Sequence, residues 1–133
     1  MEIVSQPDVS GTPMRALPMV RPATVQDVPA IYELLDIYAR QGNLLPRSFN
    51  DLYRNVRDFF VTELDGRIAA CGALEIFTEE LGEVRSLVVA DDYKGRGLGQ
   101  HLVQHIVAES RELGLQRLMA LTYVPQFFSQ ARV

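Results

Sequence analysis

Apolar positions recur along the chain with two different periods, and these periods predict alternating helices and strands. One helical stripe predicts a helix capped by Asp27, with Pro29 in its first turn, that ends near Gly42. A longer stripe predicts a second amphipathic helix that begins at Leu98 and ends at Gly114.

Shorter apolar runs predict strands and one further helix. Ser48 followed by Asp51 resembles a weak capping box that starts a short helix. Two apolar runs flank the dipeptide Asp65-Gly66, which predicts a β-hairpin. Further elements are expected at four places, namely strands over residues 19–21, 83–89 and 118–123 and a last helical turn from Pro125. The predicted order is β-α-α-β-β-β-α-β-α, an α+β fold with one central sheet.

The composition of the chain mainly excludes some classes of protein. The chain has 133 residues, of which 47% are apolar, and this is typical of one globular domain. A net charge of −4 argues against a nucleic-acid surface, and no apolar run is long enough to cross a membrane. The lone Cys71 and the absence of a secretory signal favour the cytoplasm. Residues 1–18, rich in Pro, Ser and Gly, are expected to form a flexible tail before a domain over residues 19–133.

Three glycines, Gly95, Gly97 and Gly99, follow a predicted strand and precede a predicted helix. Such a turn presents unpaired N–H groups and the positive end of the helix to an anion. The spacing fits neither a Walker P-loop nor a dinucleotide fingerprint, and a tight turn without a ligand is the alternative. Lys94 and Arg96 flank Gly95, and two cations beside such amides in an acidic protein favour a diphosphate ligand.

The segment KGRGLG over residues 94–99 resembles the acetyl-CoA signature of the GNAT superfamily of N-acetyltransferases, Gln/Arg-x-x-Gly-x-Gly/Ala. Within that superfamily, RPATVQDVPAIYELL, LLPRS, IAACGALEIF, LGEVRSLVV and LTYVPQFF resemble the GNAT domain of N-acetylglutamate synthases, above all the short form that lacks a kinase domain. The resemblance covers residues 19–128 and implies a GNAT fold, with a mixed, mainly antiparallel sheet flanked by helices. It also implies acetyl transfer from acetyl-CoA to the α-amine of L-glutamate, the first step of arginine biosynthesis, without a metal.

The resemblance implies where acetyl-CoA binds. The pyrophosphate would lie on the amides of residues 95–100, and the pantetheine arm would pair with residues 87–89 like an added strand. A backbone N–H at the step from Leu87 to Val88 would stabilise the oxyanion. The implied cofactor-binding residues are Leu87, Val88, Val89, Lys94, Gly95, Arg96, Gly97, Leu98, Gly99 and Gln100.

Deprotonation of the amine requires a base, and Glu83 is the candidate, acting through a water. The alternative is an ordinary carboxylate at a strand start, solvated or paired with Arg85. Three other carboxylates lie nearby in sequence, at Glu75, Glu79 and Glu80.

The carboxylates of a glutamate substrate require guanidinium groups, and Arg47 in LLPRS matches a substrate-contacting position of the family. The alternative is a solvent-facing loop arginine, and Arg54, Arg57 and Arg85 are weaker candidates. Cys71 is expected to be a small buried residue that lines the substrate site rather than a nucleophile, because transfer in the family is direct.

Two departures from the family bear on the function. Phe128, which the synthase relatives also carry, occupies the position of a tyrosine that protonates the leaving thiolate in many GNAT enzymes, and Tyr123 is a candidate substitute. Family members also continue past the FF pair into a final hairpin, whereas this sequence ends at Val133. The sequence leaves open whether the chain is truncated, is completed by a second copy as a homodimer, or is a degenerate relative. It also leaves open a GNAT that acetylates another small amine or a peptide N-terminus, and a catalytically weak acyl-CoA-binding module.

Overall fold

The computed structural model describes residues 18–120, and its elements follow the predicted order. The strands are β1 (Val20–Pro22), β2 (Phe59–Leu64), β3 (Arg67–Ile76), β4 (Leu81–Val89) and β5 (Arg117–Ala120). The helices are α1 (Val28–Arg40), α2 (Phe49–Arg54) and α3 (Leu98–Leu113). The predicted tail up to residue 17, the end of the predicted last strand and the final helical turn lie outside the described residues. Within residues 18–120, no helix combines the length and apolar character needed to cross a membrane.

The five strands form one sheet in the order β1-β2-β3-β4-β5. Neighbouring strands are antiparallel from β1 to β4, whereas β5 runs parallel to β4. Helix α3 packs on one face, where Leu102 and Ile106 share a buried cluster with Val84 of β4. Helices α1 and α2 cover the other face, where Ile31 packs in a second cluster with Val88 of β4. The predicted α+β fold with a mixed, mainly antiparallel sheet flanked by helices is confirmed.

The hairpin between β2 and β3 turns at the predicted dipeptide. Asp65 has φ 55 and Gly66 has φ 71, so both central residues lie in the left-handed region. This is the conformation that a two-residue type I′ turn requires, and Asp and Gly are among the few residues that tolerate it. The turn brings Arg67, at the start of β3, to the end of the sheet where β4 finishes, because β3 and β4 are antiparallel.

Strand β4 contains an irregularity opposite Gly72 of β3. Two β4 residues, Ser86 and Leu87, lie opposite this single residue, which defines a β-bulge. Ser86 has φ 54, in the left-handed region that residues other than glycine rarely adopt. Because of the extra residue, Arg85 and Val88 both project to the face that α1 and α2 cover.

The N-terminus of α1 differs from the prediction that Asp27 caps it. The Asp27 carboxylate instead accepts two hydrogen bonds from the Arg21 guanidinium, at 2.8 Å and 2.9 Å, and one from the Thr24 backbone N–H at 2.7 Å. A bidentate, charge-assisted bond to arginine is stronger than a single bond to a neutral amide, which explains the choice of partner. The bond from Arg21 lowers the pKa of Asp27.

Helix α2 begins at the predicted residue. The Ser48 hydroxyl accepts a hydrogen bond from the Asp51 backbone N–H at 3.0 Å, as an N-cap should. The Asp51 carboxylate accepts hydrogen bonds from Arg47 and Asn55 rather than closing the capping box on Ser48. The predicted capping box is therefore half formed, because the Asp51 carboxylate binds Arg47 in the loop before α2 instead of the Ser48 backbone N–H.

We expect Asp27→Asn to lower the free energy of unfolding at pH 7 by about 1.5 kcal/mol, because Arg21 loses a charged partner. The pKa of Asp27 is lower in the folded than in the unfolded chain. The wild-type advantage should therefore be complete above about pH 4 and be lost as the pH falls through the folded pKa. Urea denaturation at pH 7 and at lower pH measures both effects.

The matched control is Asp36→Asn, which removes an ion pair with the exposed Arg40 one helical turn away. Exposed pairs of this kind contribute less than about 0.5 kcal/mol, so this variant should unfold like the wild type. Equal stabilities of the two variants at pH 7 would contradict the assignment of Asp27.

Candidate functional site

The glycine-rich turn begins α3 and leaves the first amides of the helix without side-chain caps. Gly95 has φ 81 and Gly97, the residue before the helix, has φ 79. A Cβ atom built at either glycine would meet nothing within 4 Å, so both border open space. The N–H groups of the next three residues have no acceptor within the helix, because the α-helical ladder starts only one turn later. These amides, with the positive end of the helix dipole, form the predicted anion-binding arrangement.

The two predicted cations of this turn have partners within the fold. Lys94 Nζ lies 2.8 Å from Asp91 Oδ1 and 4.8 Å from the centroid of the Tyr38 ring. The central carbon of the Arg96 guanidinium lies 5.2 Å from the centroid of the Tyr93 ring. Stacking on a ring leaves in-plane N–H groups able to donate, whereas the ion pair of Lys94 must be shared or exchanged when an anion binds.

The last residues of β4 present backbone groups away from β3. The Ala90 N–H donates to the Ala69 carbonyl at 2.8 Å, so the hydrogen bonds of the neighbouring Val89 point to the other side of the strand. There the Val89 carbonyl accepts a hydrogen bond from the Tyr38 hydroxyl at 2.8 Å. Pairing of β5 with β4 is confined to residues 81–84 in the described part of the chain. Within residues 18–120, residues 87–89 therefore form an unpaired strand edge beside the glycine-rich turn.

Glu83 lies on β4 opposite Glu75 of β3, and Arg85 lies on the same face. The Arg85 guanidinium forms an ion pair with Glu75 and has its Nε 3.5 Å from Glu83 Oε1. Two carboxylates directly opposite each other repel, and a cation beside both of them offsets that repulsion. Glu83 is 8% exposed, so the predicted base is a nearly buried carboxylate beside an arginine.

Arg47 reaches from the loop before α2 to the bulge of β4. Its Nη1 donates a hydrogen bond to the Ser86 hydroxyl at 3.1 Å, and its Nε donates to the Asp51 carboxylate. Its guanidinium carbon lies 4.9 Å from the centroid of the Phe59 ring. The side chain is 18% exposed, so the prediction of a functional arginine is consistent with this structure and a freely solvated loop residue is not.

Three residues of this region are absent from the predicted site. Asp51 binds Arg47, and their spacing of four residues was a signal that could have found it. Asp58 precedes β2, and its pKa is raised by burial and by the charge of Glu75. Ser86 gives no signal in the sequence, because its contact with Arg47 depends on the bulge. Among residues 18–120, no three His, Cys, Asp or Glu side chains form a group that could hold a metal ion.

Cys71 of β3 is fully buried in the core cluster on the α1 and α2 face. Burial raises the pKa of its thiol to about 12, so the group is protonated at neutral pH and is a poor nucleophile. Its Sγ donates a hydrogen bond to the Ser86 carbonyl at 3.5 Å. The expected burial of Cys71 is observed, and its place in the lining of the substrate site stays a prediction.

Comparisons with known proteins agree with this geometry. A curated protein of Mycobacterium tuberculosis, named amino-acid acetyltransferase, is 38% identical over 121 residues, which is 89% of this chain and 69% of the relative. A crystal structure from M. tuberculosis, in complex with CoA, is 39% identical with a TM-score of 0.80 and covers 84% of this chain and 69% of its own.

A second solved structure is N-acetylglutamate synthase from Neisseria gonorrhoeae, complexed with coenzyme A and N-acetyl-glutamate. It is 32% identical with a TM-score of 0.82, over 86% of this chain but only 28% of the longer protein. The sequence profile described as the Acetyltransferase (GNAT) family matches residues 28–131. The glycine-rich turn, the strand edge and the sheet order agree with these matches. The chain therefore belongs to the GNAT family of acetyltransferases.

Proposed function

We propose that the chain transfers an acetyl group from acetyl-CoA to the α-amine of an amino acid, with L-glutamate as the acceptor. The observation that carries the proposal is the open glycine-rich turn beside the strand edge of residues 87–89. The M. tuberculosis and N. gonorrhoeae relatives support the choice of acceptor, because one is named amino-acid acetyltransferase and the other was solved with N-acetyl-glutamate. The reaction would be the first step of arginine biosynthesis.

The cofactor half of the site follows from two backbone features. The pyrophosphate of acetyl-CoA would accept hydrogen bonds from the uncapped amides at the start of α3, assisted by Lys94 and Arg96. The amide groups of the pantetheine arm would pair with residues 87–89, as an added strand does. The thioester then lies toward the bulge, within the part of β4 that Glu83 and Ser86 flank.

The chemical step requires loss of a proton, attack and departure of a thiolate. Glu83 would accept a proton from the substrate ammonium through a water, which leaves a neutral amine to attack the thioester carbon. A backbone N–H of the β4 bulge, rather than that of Val88, which pairs with Cys71 and points to β3, would donate to the oxyanion of the tetrahedral intermediate. The C–N bond forms as the C–S bond breaks, and the CoA thiolate leaves and takes up a proton.

Arg47 would bind a carboxylate of the acceptor. Its guanidinium carries five N–H donors, and the contacts to Asp51 and Ser86 use two of them. The remaining donors have the forked geometry that matches a carboxylate. Because Arg47 is held by the bulge residue, binding at this arginine places the amino acid close to the predicted oxyanion donor.

We expect Gly97→Val to weaken CoA binding by about tenfold or more, measured by isothermal titration calorimetry. A side chain at this position would fill the open space beside the amides and strain a backbone with φ 79.

Gly114→Val is the matched control, because Gly114 has φ 90, also borders open space and lies at the opposite end of α3. It suffers similar backbone strain but should bind CoA like the wild type. Equal CoA affinities of the two variants would show that the phosphate site lies elsewhere.

We expect Glu83→Gln to lower kcat with L-glutamate by about 10²-fold or more, while the CoA dissociation constant stays within about twofold. Thiol release from acetyl-CoA, followed with a panel of amino acids and a peptide N-terminus, measures the rate and the choice of acceptor.

Glu79→Gln, in the exposed turn between β3 and β4, is the control and should be fully active. Thiol release no faster with glutamate than with other amines would rule out the proposed acceptor, and CoA binding without turnover of any amine would indicate a binding module.

A further inference from the structure

Two guanidinium groups lie against one aromatic ring beside the glycine-rich turn. The ring belongs to Tyr93, which precedes the turn and is only 5% exposed. The guanidinium carbons of Arg67 and Arg96 lie 5.8 Å and 5.2 Å from its centroid. Arg96 belongs to the turn itself, whereas Arg67 is the first residue of β3. The fold therefore brings two cations from separate elements to the end of the sheet where β4 finishes.

The charges of these two arginines are weakly compensated in the described part of the chain. Arg67 Nη1 lies 3.8 Å from Asp92 Oδ2, and the two side chains are 65% and 76% exposed. An exposed ion pair of this length contributes little, so Asp92 can give way to a more highly charged anion. Arg96 is also exposed, and its stacking on the ring leaves in-plane N–H groups able to donate. Two like charges held on one ring repel each other, and an anion bound by both would offset this repulsion.

The expected cofactor carries a phosphate that suits this pair of arginines. CoA has a pyrophosphate in its chain and a further phosphate on the 3′ oxygen of its ribose. The pyrophosphate is assigned to the uncapped amides that follow Gly97, and Arg96 directly precedes that glycine. The 3′-phosphate carries about two negative charges at neutral pH and has no partner in the site as proposed above. Guanidinium groups bind phosphate oxygens through paired N–H donors, and two of them lie beside the turn.

We propose that Arg67 and Arg96 bind the 3′-phosphate of CoA, and that Arg67 thereby selects CoA over ligands that lack this phosphate. The inference rests on the proposed function, because it assumes that the pyrophosphate lies on the glycine-rich turn. The Tyr93 ring holds both guanidinium groups at this place by cation–π contacts. Arg67 lies outside the segment KGRGLG, so the cofactor signature of the sequence does not indicate it.

The test compares two ligands that differ only in this phosphate, CoA and 3′-dephospho-CoA, by isothermal titration calorimetry. The wild type should bind CoA about tenfold more tightly than 3′-dephospho-CoA, because charge-assisted hydrogen bonds to the phosphate are lost in the second ligand. In Arg67→Ala the two dissociation constants should lie within about twofold of each other, because only the affinity for CoA falls. Arg67→Lys keeps the charge but loses the forked donors, so its preference for CoA should be intermediate.

The matched control is Arg117→Ala, which removes the same charge from the opposite end of the sheet. Arg117 is exposed and pairs with Leu81, the first residue of β4, whereas the glycine-rich turn follows the last. This variant should keep the preference of the wild type for CoA. A loss of preference in both variants would show a general effect of net charge and would overturn the role of Arg67.

The remaining outcomes separate this inference from the proposed function. A wild type that binds both ligands equally, or an Arg67→Ala variant that keeps the wild-type preference, would overturn the inference and leave the proposed function standing. Equal weakening of both ligands in Arg67→Ala would also overturn it, because that result indicates a structural role for Arg67. An Arg67-dependent preference in a wild type that acetylates no amine would refute the proposed function and support the inference.

Discussion

The hydrogen-bonding of β4 is the constraint on which the rest of the site depends. Every N–H and C=O of a strand needs a partner, and β4 finds partners on the β3 side along its length. On the other side, the described pairing with β5 ends at Val84, and the bulge follows two residues later. The free edge, the bulge and the glycine-rich turn therefore succeed one another along a single stretch of chain. One extended ligand with a phosphate at its end fits all three.

Electrostatics explain how a chain of net charge −4 can hold an anionic cofactor. The positive groups at the glycine-rich turn are local, and Lys94 is kept there by Asp91 and the Tyr38 ring. On the α1 and α2 face, Arg47 and Arg85 lie beside the three carboxylates of Asp51, Glu75 and Glu83, so these ion pairs have a formal net charge of −1. A region of this kind offers guanidinium groups to the carboxylates of an amino acid and carboxylates to its ammonium group.

Much of the fold could be predicted because its signals are local. The hairpin at Asp65-Gly66 and the end of α3 at Gly114 depend on backbone conformations that few residues adopt, and both predictions are confirmed. The capping role of Asp27 was wrong because Arg21, six residues earlier, offers a stronger partner than the helix amides. The sequence does not show this competition for the Asp27 carboxylate, because Arg21 of β1 comes within reach of it only in the folded chain.

The candidate site could be predicted in part, for the same reason. The glycine-rich turn is one continuous segment, and its open geometry matches the prediction. The bulge at Ser86 arises only when β4 pairs with β3, so the contacts of Ser86 with Arg47 and Cys71 have no sequence signal. The expected flexible tail, cytoplasmic location and homodimer remain predictions of the sequence.

A ¹H–¹⁵N NMR titration with CoA shows whether CoA binds along the end of β4 and the start of α3. We expect the largest amide shift changes in residues 87–89 and 95–100, with β1 and the β2–β3 hairpin little affected. Saturable CoA binding that leaves the amides of those two segments unshifted would contradict this placement of the cofactor.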